Sequence, residues 1–232
     1  MALRSRAVTI AALLVLSLLA WAYLLNGAGM EPMPDMPGMA PEWPLIFAMW
    51  VTMMVAMMLP SAAPAILLYA RVHRHAMGST SPPTMAFLAG YLACWTVFSG
   101  LAASLHVAIE GDAVADHRLA AALLIAAGIY QLSPLKDACL SRCRSPAQFI
   151  SRHYRPGAVG AARLGLLHGA YCVGCCWLLM ALLFVGGVMN LAWIAGLTLL
   201  VAAEKLLPAG AWIARLSGIV MIGSGAVILI WP

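Results

Sequence analysis

Charge is scarce in this chain of 232 residues. Asp, Glu, Lys and Arg make up 9% of it, while hydrophobic residues make up 64%. A soluble globular domain carries about 25% charged residues. So few charges cannot clothe a water-facing surface, and the mean hydropathy of +0.94 agrees. No long polar stretch is present, which excludes a separate soluble domain. No Gly-rich phosphate loop or phosphorylated-Asp motif is visible either, which argues against ATP-driven pumping by this chain. The net charge of +5 sits in short loops beside apolar runs. It reads as topology signal and lipid-headgroup contact rather than as a nucleic-acid footprint.

What the chain has in abundance is apolar runs of membrane-spanning length, which needs about 20 residues. Seven such segments are expected, starting near residues 7, 44, 84, 119, 161, 191 and 211. The fold expected is an all-α, polytopic membrane bundle of about seven transmembrane helices. Residues 1–28 would form an N-terminal signal-anchor helix, 29–43 a Met/Pro-rich periplasmic loop, and 44–232 a six-helix membrane domain. Pro60 and Pro64 should kink the second segment and free a backbone carbonyl that needs another donor. With the N-terminus cytoplasmic, every Lys and Arg except Arg118 falls on the inner side, as the positive-inside rule requires. That bias predicts a multi-pass protein of the bacterial inner membrane.

Six cysteines and fifteen methionines supply soft donors. In the outer loop Met30, Met33, Met36 and Met39 recur every third residue among prolines. Polyproline II repeats every three residues, so their thioethers would line one edge. Thioethers prefer Cu(I) to harder ions and do not compete with protons. In the second segment Met49, Met53 and Met57 share one helical face, beside a stripe of Met54 and Met58. Such a stripe serves either as packing or as a ligand ladder.

The fifth segment carries His168, Cys172, Cys175 and Cys176 on one face. An imidazole in hydrocarbon is costly and usually functional, and Cys with His suits Cu(I), Zn or Fe–S. Gly165 and Gly169 beside this face would let a neighbouring helix approach closely. If that neighbour were the second segment, thioethers and thiols would converge. Further on, Cys139 and Cys143 lie four residues apart in a stretch flanked by Lys136, Arg142 and Arg144. These flanking cations are expected to lower the thiol pKa and favour thiolate. Glu204 and Lys205 read either as helix-end anchors that snorkel to the interface or, for Glu204, as the partner of a buried cation or a histidine; the anchor reading is preferred.

The run from Met49 to Ser61, the block from Tyr130 to Pro146, the His168-to-Trp177 block and Glu204-Lys205 together resemble a bacterial family of polytopic proteins. That family is described as uncharacterised, predicted metal-binding integral membrane proteins, and some members are labelled copper chaperones. The resemblance implies metal binding at the Cys and His positions named. It leaves the N-terminal helix and the Met/Pro loop uncovered.

The function expected is handling of a soft metal, Cu(I) before any other, for copper homeostasis, transport or delivery to a copper enzyme. The partners expected are the metal ion, membrane lipid, and a copper chaperone or copper enzyme; nucleic acid is not. Binding is expected rather than catalysis. The rival from another class is a membrane thiol–disulfide oxidoreductase using Cys172/Cys175 and Cys139/Cys143 as redox pairs.

Overall fold

The computed structural model describes residues 2–27, 43–77, 81–109 and 117–231. The outer-loop methionines Met30, Met33, Met36 and Met39 lie outside these residues. The described residues form helices α1 (Ala2–Leu25), α2 (Trp43–Met77), α3 (Ser81–Ala108), α4 (His117–Gln131), α5 (Pro134–Arg144) and α6 (Pro146–His153). Then come α7 (Gly157–Ala181), the short α8 (Leu183–Gly186), α9 (Leu191–Leu206) and α10 (Gly210–Ile230). The all-α, polytopic expectation holds.

Among the described residues, five helical stretches are long and apolar enough to cross a membrane: 7–25, 43–74, 83–108, 157–186 and 210–230. The expected fourth segment breaks after Gln131, and α4 and α5 meet at a 64° bend. Counted as one span, that pair raises the number to six. The break is local chemistry. Ser133 is extended, its hydroxyl caps the backbone N–H of Lys136, and Pro134 opens the new helix. The expected sixth segment is α9, whose 16 residues reach about 24 Å at 1.5 Å per residue. That falls short of a hydrocarbon core of about 30 Å.

By internal contacts the chain forms two compact units, residues 1–108 with 154–169, and residues 109–153 with 170–232. Helix α7 contributes its first half to one and its second half to the other.

In the first unit α2 packs against both α1 and α3. Pro60 cannot donate to the carbonyl of Ala56, four residues back. The indole N–H of Trp21 on α1 donates to that oxygen instead, at 3.2 Å. A helix-breaking residue thus creates the bond that ties α1 to α2. Trp21→Phe should lower the stability of the detergent-solubilised protein by about 1–2 kcal/mol, because the carbonyl is left without its donor. A thermal melt followed by size-exclusion chromatography measures this; an unchanged transition would mean that water serves the carbonyl equally well.

The first half of α7 lies against α3. A Cβ at Gly165 would overlap the Phe87 carbonyl, one at Gly90 the Ala162 carbonyl, and one at Gly169 would stand 2.7 Å from Cβ of Cys94. The close neighbour of Gly165 and Gly169 is therefore α3, rather than the methionine-bearing second segment.

In the second unit α4 and α10 form the principal pair. Gly128 and Gly218 face each other and Gly225 faces the carbonyl of Ala121, so small residues set this approach too. After α8 the chain turns at Gly187, whose φ of 89° suits glycine. The Asn190 side chain then accepts from the N–H of Trp193 and starts α9.

Candidate metal centre

The second unit holds a buried polar core inside otherwise apolar helices. Lys136 on α5 is fully buried and its Nζ donates to Oε2 of Glu204 on α9 at 2.6 Å. The other carboxylate oxygen accepts from Nε2 of Gln131 at 2.7 Å, and that amide also donates to Ser217 on α10 at 2.8 Å. One carboxylate therefore links α4, α5 and α9, and through Gln131 reaches α10. Arg144 donates to the carbonyls of Leu207 and Pro208 at 3.0 and 2.6 Å, holding the end of α5 to the end of α9.

This core carries the thiols. Cys172, Cys175 and Cys176 are each at most 2% exposed. Their positions at i, i+3 and i+4 put them on one helical face. The thiols of Cys175 and Cys176 donate to the Cys172 carbonyl at 3.1 and 3.0 Å. The Cys172 sulfur accepts from Nζ of Lys205 at 2.9 Å. Cys143 on α5 is within hydrogen-bonding reach of both the Cys172 and Cys175 thiols. Cys139, one turn earlier, lies with its sulfur 3.0 Å from where a Cβ on Gly174 would stand. The Tyr130 hydroxyl donates to the Gly174 carbonyl, and its ring meets Trp177 edge-on. Glycine at 174 is what admits Cys139 against α7.

The two cysteine motifs of the sequence are thus one cluster: α5 brings Cys139 and Cys143 to the thiols of α7. All six cysteines are free thiols. Among the described residues no three Cys, His, Asp or Glu side chains already converge as a ligand shell. Two of the α7 thiols are turned onto their own helix backbone.

A family model described as PpoB2, copper chaperone, matches residues 47–228. The chain belongs to the PpoB2 copper chaperone family. Its function is copper-related, and every cysteine and both members of the Lys136–Glu204 pair lie inside the matched region. No curated protein and no solved structure matches the chain. The donor chemistry is compatible with that family description. Thiols are soft donors of the kind that hold Cu(I), Zn or Fe–S clusters, and the α7 thiols are shielded from water.

The remaining sequence-derived candidates are in the first unit. Met49, Met53 and Met57 on α2 are buried at 0% exposure, as are their neighbours Met54 and Met58 at 1% and 0%. His168 is buried on the half of α7 that belongs to this unit, with its ring 6.1 Å from that of Phe87 and 5.8 Å from that of Tyr91. Tyr91 in turn donates to the Met58 carbonyl at 3.2 Å.

Two expectations change. Lys136, Arg142 and Arg144, expected to act on the Cys139/Cys143 pair, each engage another group. Lys136 is spent on Glu204, Arg144 on carbonyls, and Arg142 stands 6.0 Å over the ring of Tyr171. Glu204 and Lys205 do not snorkel, being 1% and 7% exposed. His73 on α2 is buried beside Tyr69 and 3.1 Å from the Tyr154 hydroxyl. The residue whose role sequence reasoning misjudged is Lys205. The rule that an ionisable group inside a membrane bundle needs an internal partner could have found it.

Proposed function

We propose that this protein binds Cu(I) between Cys143 of α5 and Cys172 of α7, and exchanges it through Cys175 and Cys176. The observation that carries the reading is the half-buried Cys143 thiol within reach of the buried Cys172 and Cys175. Two thiolates suffice for Cu(I), which accepts linear coordination, whereas structural Zn(II) sites take four ligands. A pair of sulfurs with spare thiols alongside also lets an ion leave as readily as it enters, which a carrier needs. Cys139 would then hand the ion on.

The wider route is part of the same proposal. Met30, Met33, Met36 and Met39 capture Cu(I) on the periplasmic side of a bacterial inner membrane. Met49, Met53, Met57 and His168 are further donors, in the first unit. The cytoplasmic N-terminus follows from the distribution of Arg and Lys. A soluble copper chaperone or a copper enzyme is the partner.

The test is metal analysis of protein purified under Cu(I) and reductant. Wild type should carry bound copper, Cys143→Ser/Cys172→Ser should lose it, and Cys94→Ser should keep it. Equal copper in wild type and the double variant would sink the site assignment. Alkylation mapping separates the rival. Copper-dependent protection of Cys143 and Cys172 supports binding, whereas disulfides that cycle without metal would identify a thiol–disulfide oxidoreductase.

A further inference from the structure

Of the 13 basic residues in the chain, eleven are arginine and only Lys136 and Lys205 are lysine. Both lysines are buried, whereas none of the arginines whose burial the structure describes is. Lys136 is matched by Glu204. Lys205 follows Glu204 directly, and successive residues on a helix point about 100° apart. Its ammonium is aimed at sulfur, 2.9 Å from Sγ of Cys172. Both oxygens of the adjacent carboxylate are already engaged, one by Lys136 and one by Gln131.

A cation among apolar helices is costly unless negative charge stands beside it. We propose that Lys205 is the fixed counter-charge of the metal centre, and that it makes the pair of sulfurs prefer a monovalent ion to a divalent one. The inference rests on the thiol centre proposed above.

The charges balance as follows. A monovalent ion held by two thiolates leaves one net negative charge, and the Lys205 ammonium cancels it. A divalent ion on the same two sulfurs is already neutral, so the ammonium is left facing no net charge. Where the dielectric constant is low, a difference of one charge at contact distance weighs far more than in water. Lysine suits the task because its charge is a compact point on a flexible stem. It can step back from the sulfur as the ion enters and remain beside it. Lys205 touches the ligand rather than the ion, so it is a positioning residue.

Cu(I) and Hg(II) make a matched pair of probes, since both take two thiolates in a linear arrangement and differ by one charge. Wild type, Lys205→Met, Lys205→Gln and Lys205→Arg would be compared in detergent. Cu(I) affinity would be read against a chromophoric chelator and Hg(II) affinity against dithiothreitol.

Loss of the charge should weaken Cu(I) binding about 10–100-fold in the Met and Gln variants, the usual range for residues behind a metal ligand. Hg(II) binding should hold or tighten, and Lys205→Arg should stay near wild type for both ions. Gln keeps a hydrogen bond to sulfur, so a purely structural Lys205 would leave Lys205→Gln unimpaired. Overturning results are equal Cu(I) affinity in wild type and Lys205→Met, or a parallel loss of both ions in Lys205→Gln. Should wild type itself take no Cu(I) while Cys143 and Cys172 stay alkylatable, the thiol centre fails first, and the inference with it.

Discussion

Lys136→Met is expected to destabilise the protein by about 3–5 kcal/mol, the usual cost of stranding one half of a buried ion pair. The side chains of Lys136 and Glu204 are 0% and 2% exposed and meet at 2.6 Å. Removing the ammonium leaves a carboxylate inside apolar helices with only the Gln131 amide as a described donor. The loss should therefore exceed that of any single hydrogen bond in the unit. Lys136→Met/Glu204→Gln should recover most of it, because a neutral amide at 204 can still accept from Gln131 and no charge remains stranded. Thermal melts of the two variants and of wild type, in one detergent, check this. If the double variant is no more stable than Lys136→Met, the cost lies in lost packing and the charge argument is wrong. The same experiment bears on the metal centre, since this ion pair joins α5, which carries Cys143, to α9, which carries Lys205.

Gly165→Leu should prevent α7 from seating on α3. Even a single Cβ there would overlap the Phe87 carbonyl, and that atom belongs to a helix backbone which cannot rotate aside. Overpacking a well-packed core costs about 1–3 kcal/mol, occasionally more. A leucine against backbone belongs at the upper end, and misfolding or loss from the membrane fraction is the expected result. Gly165→Ala should show a smaller loss in the same direction. Gly196→Ala on α9 is the control. Nothing lies within 4 Å of its would-be Cβ, and the position is exposed. It should be neutral or gain up to about 1 kcal/mol from helix propensity. Equal stability of Gly165→Ala and Gly196→Ala would show that the helices separate at no cost.

The helices themselves were legible because apolar run length is a one-dimensional property. α1, α2, α3, α7 and α10 fall where the runs fall. The break in α4 was harder to see, since the apolar content continues through Leu132 and Leu135 while the Ser133-Pro134 cap stops the helix. The carbonyl freed by Pro60 was foreseeable from the covalent structure of proline, but its donor was not. Trp21 is 35 residues away on another helix. The site divides in the same manner. The cysteines on α7 were visible from their i, i+3, i+4 spacing, and Cys139 and Cys143 from theirs. That α5 lays its thiols against α7 depends on the bend after Gln131 and on the absence of a side chain at Gly174.

The amino-acid order alone decided the class of molecule. Too little charge to face water, and enough apolar length to span lipid, leave only a helical membrane protein, because every backbone polar group must be satisfied within its own segment. It also decided the donor type, since sulfur chemistry is a property of each residue. What waited for the tertiary structure was the pairing of distant groups: Cys143 with Cys172, Glu204 with Lys136, Lys205 with sulfur. A helix repeats every 3.6 residues and records only which side chains share a face. Which face meets which is set by where two backbones can approach, and in this chain that is governed by glycines on different helices, whose complementarity no local pattern encodes.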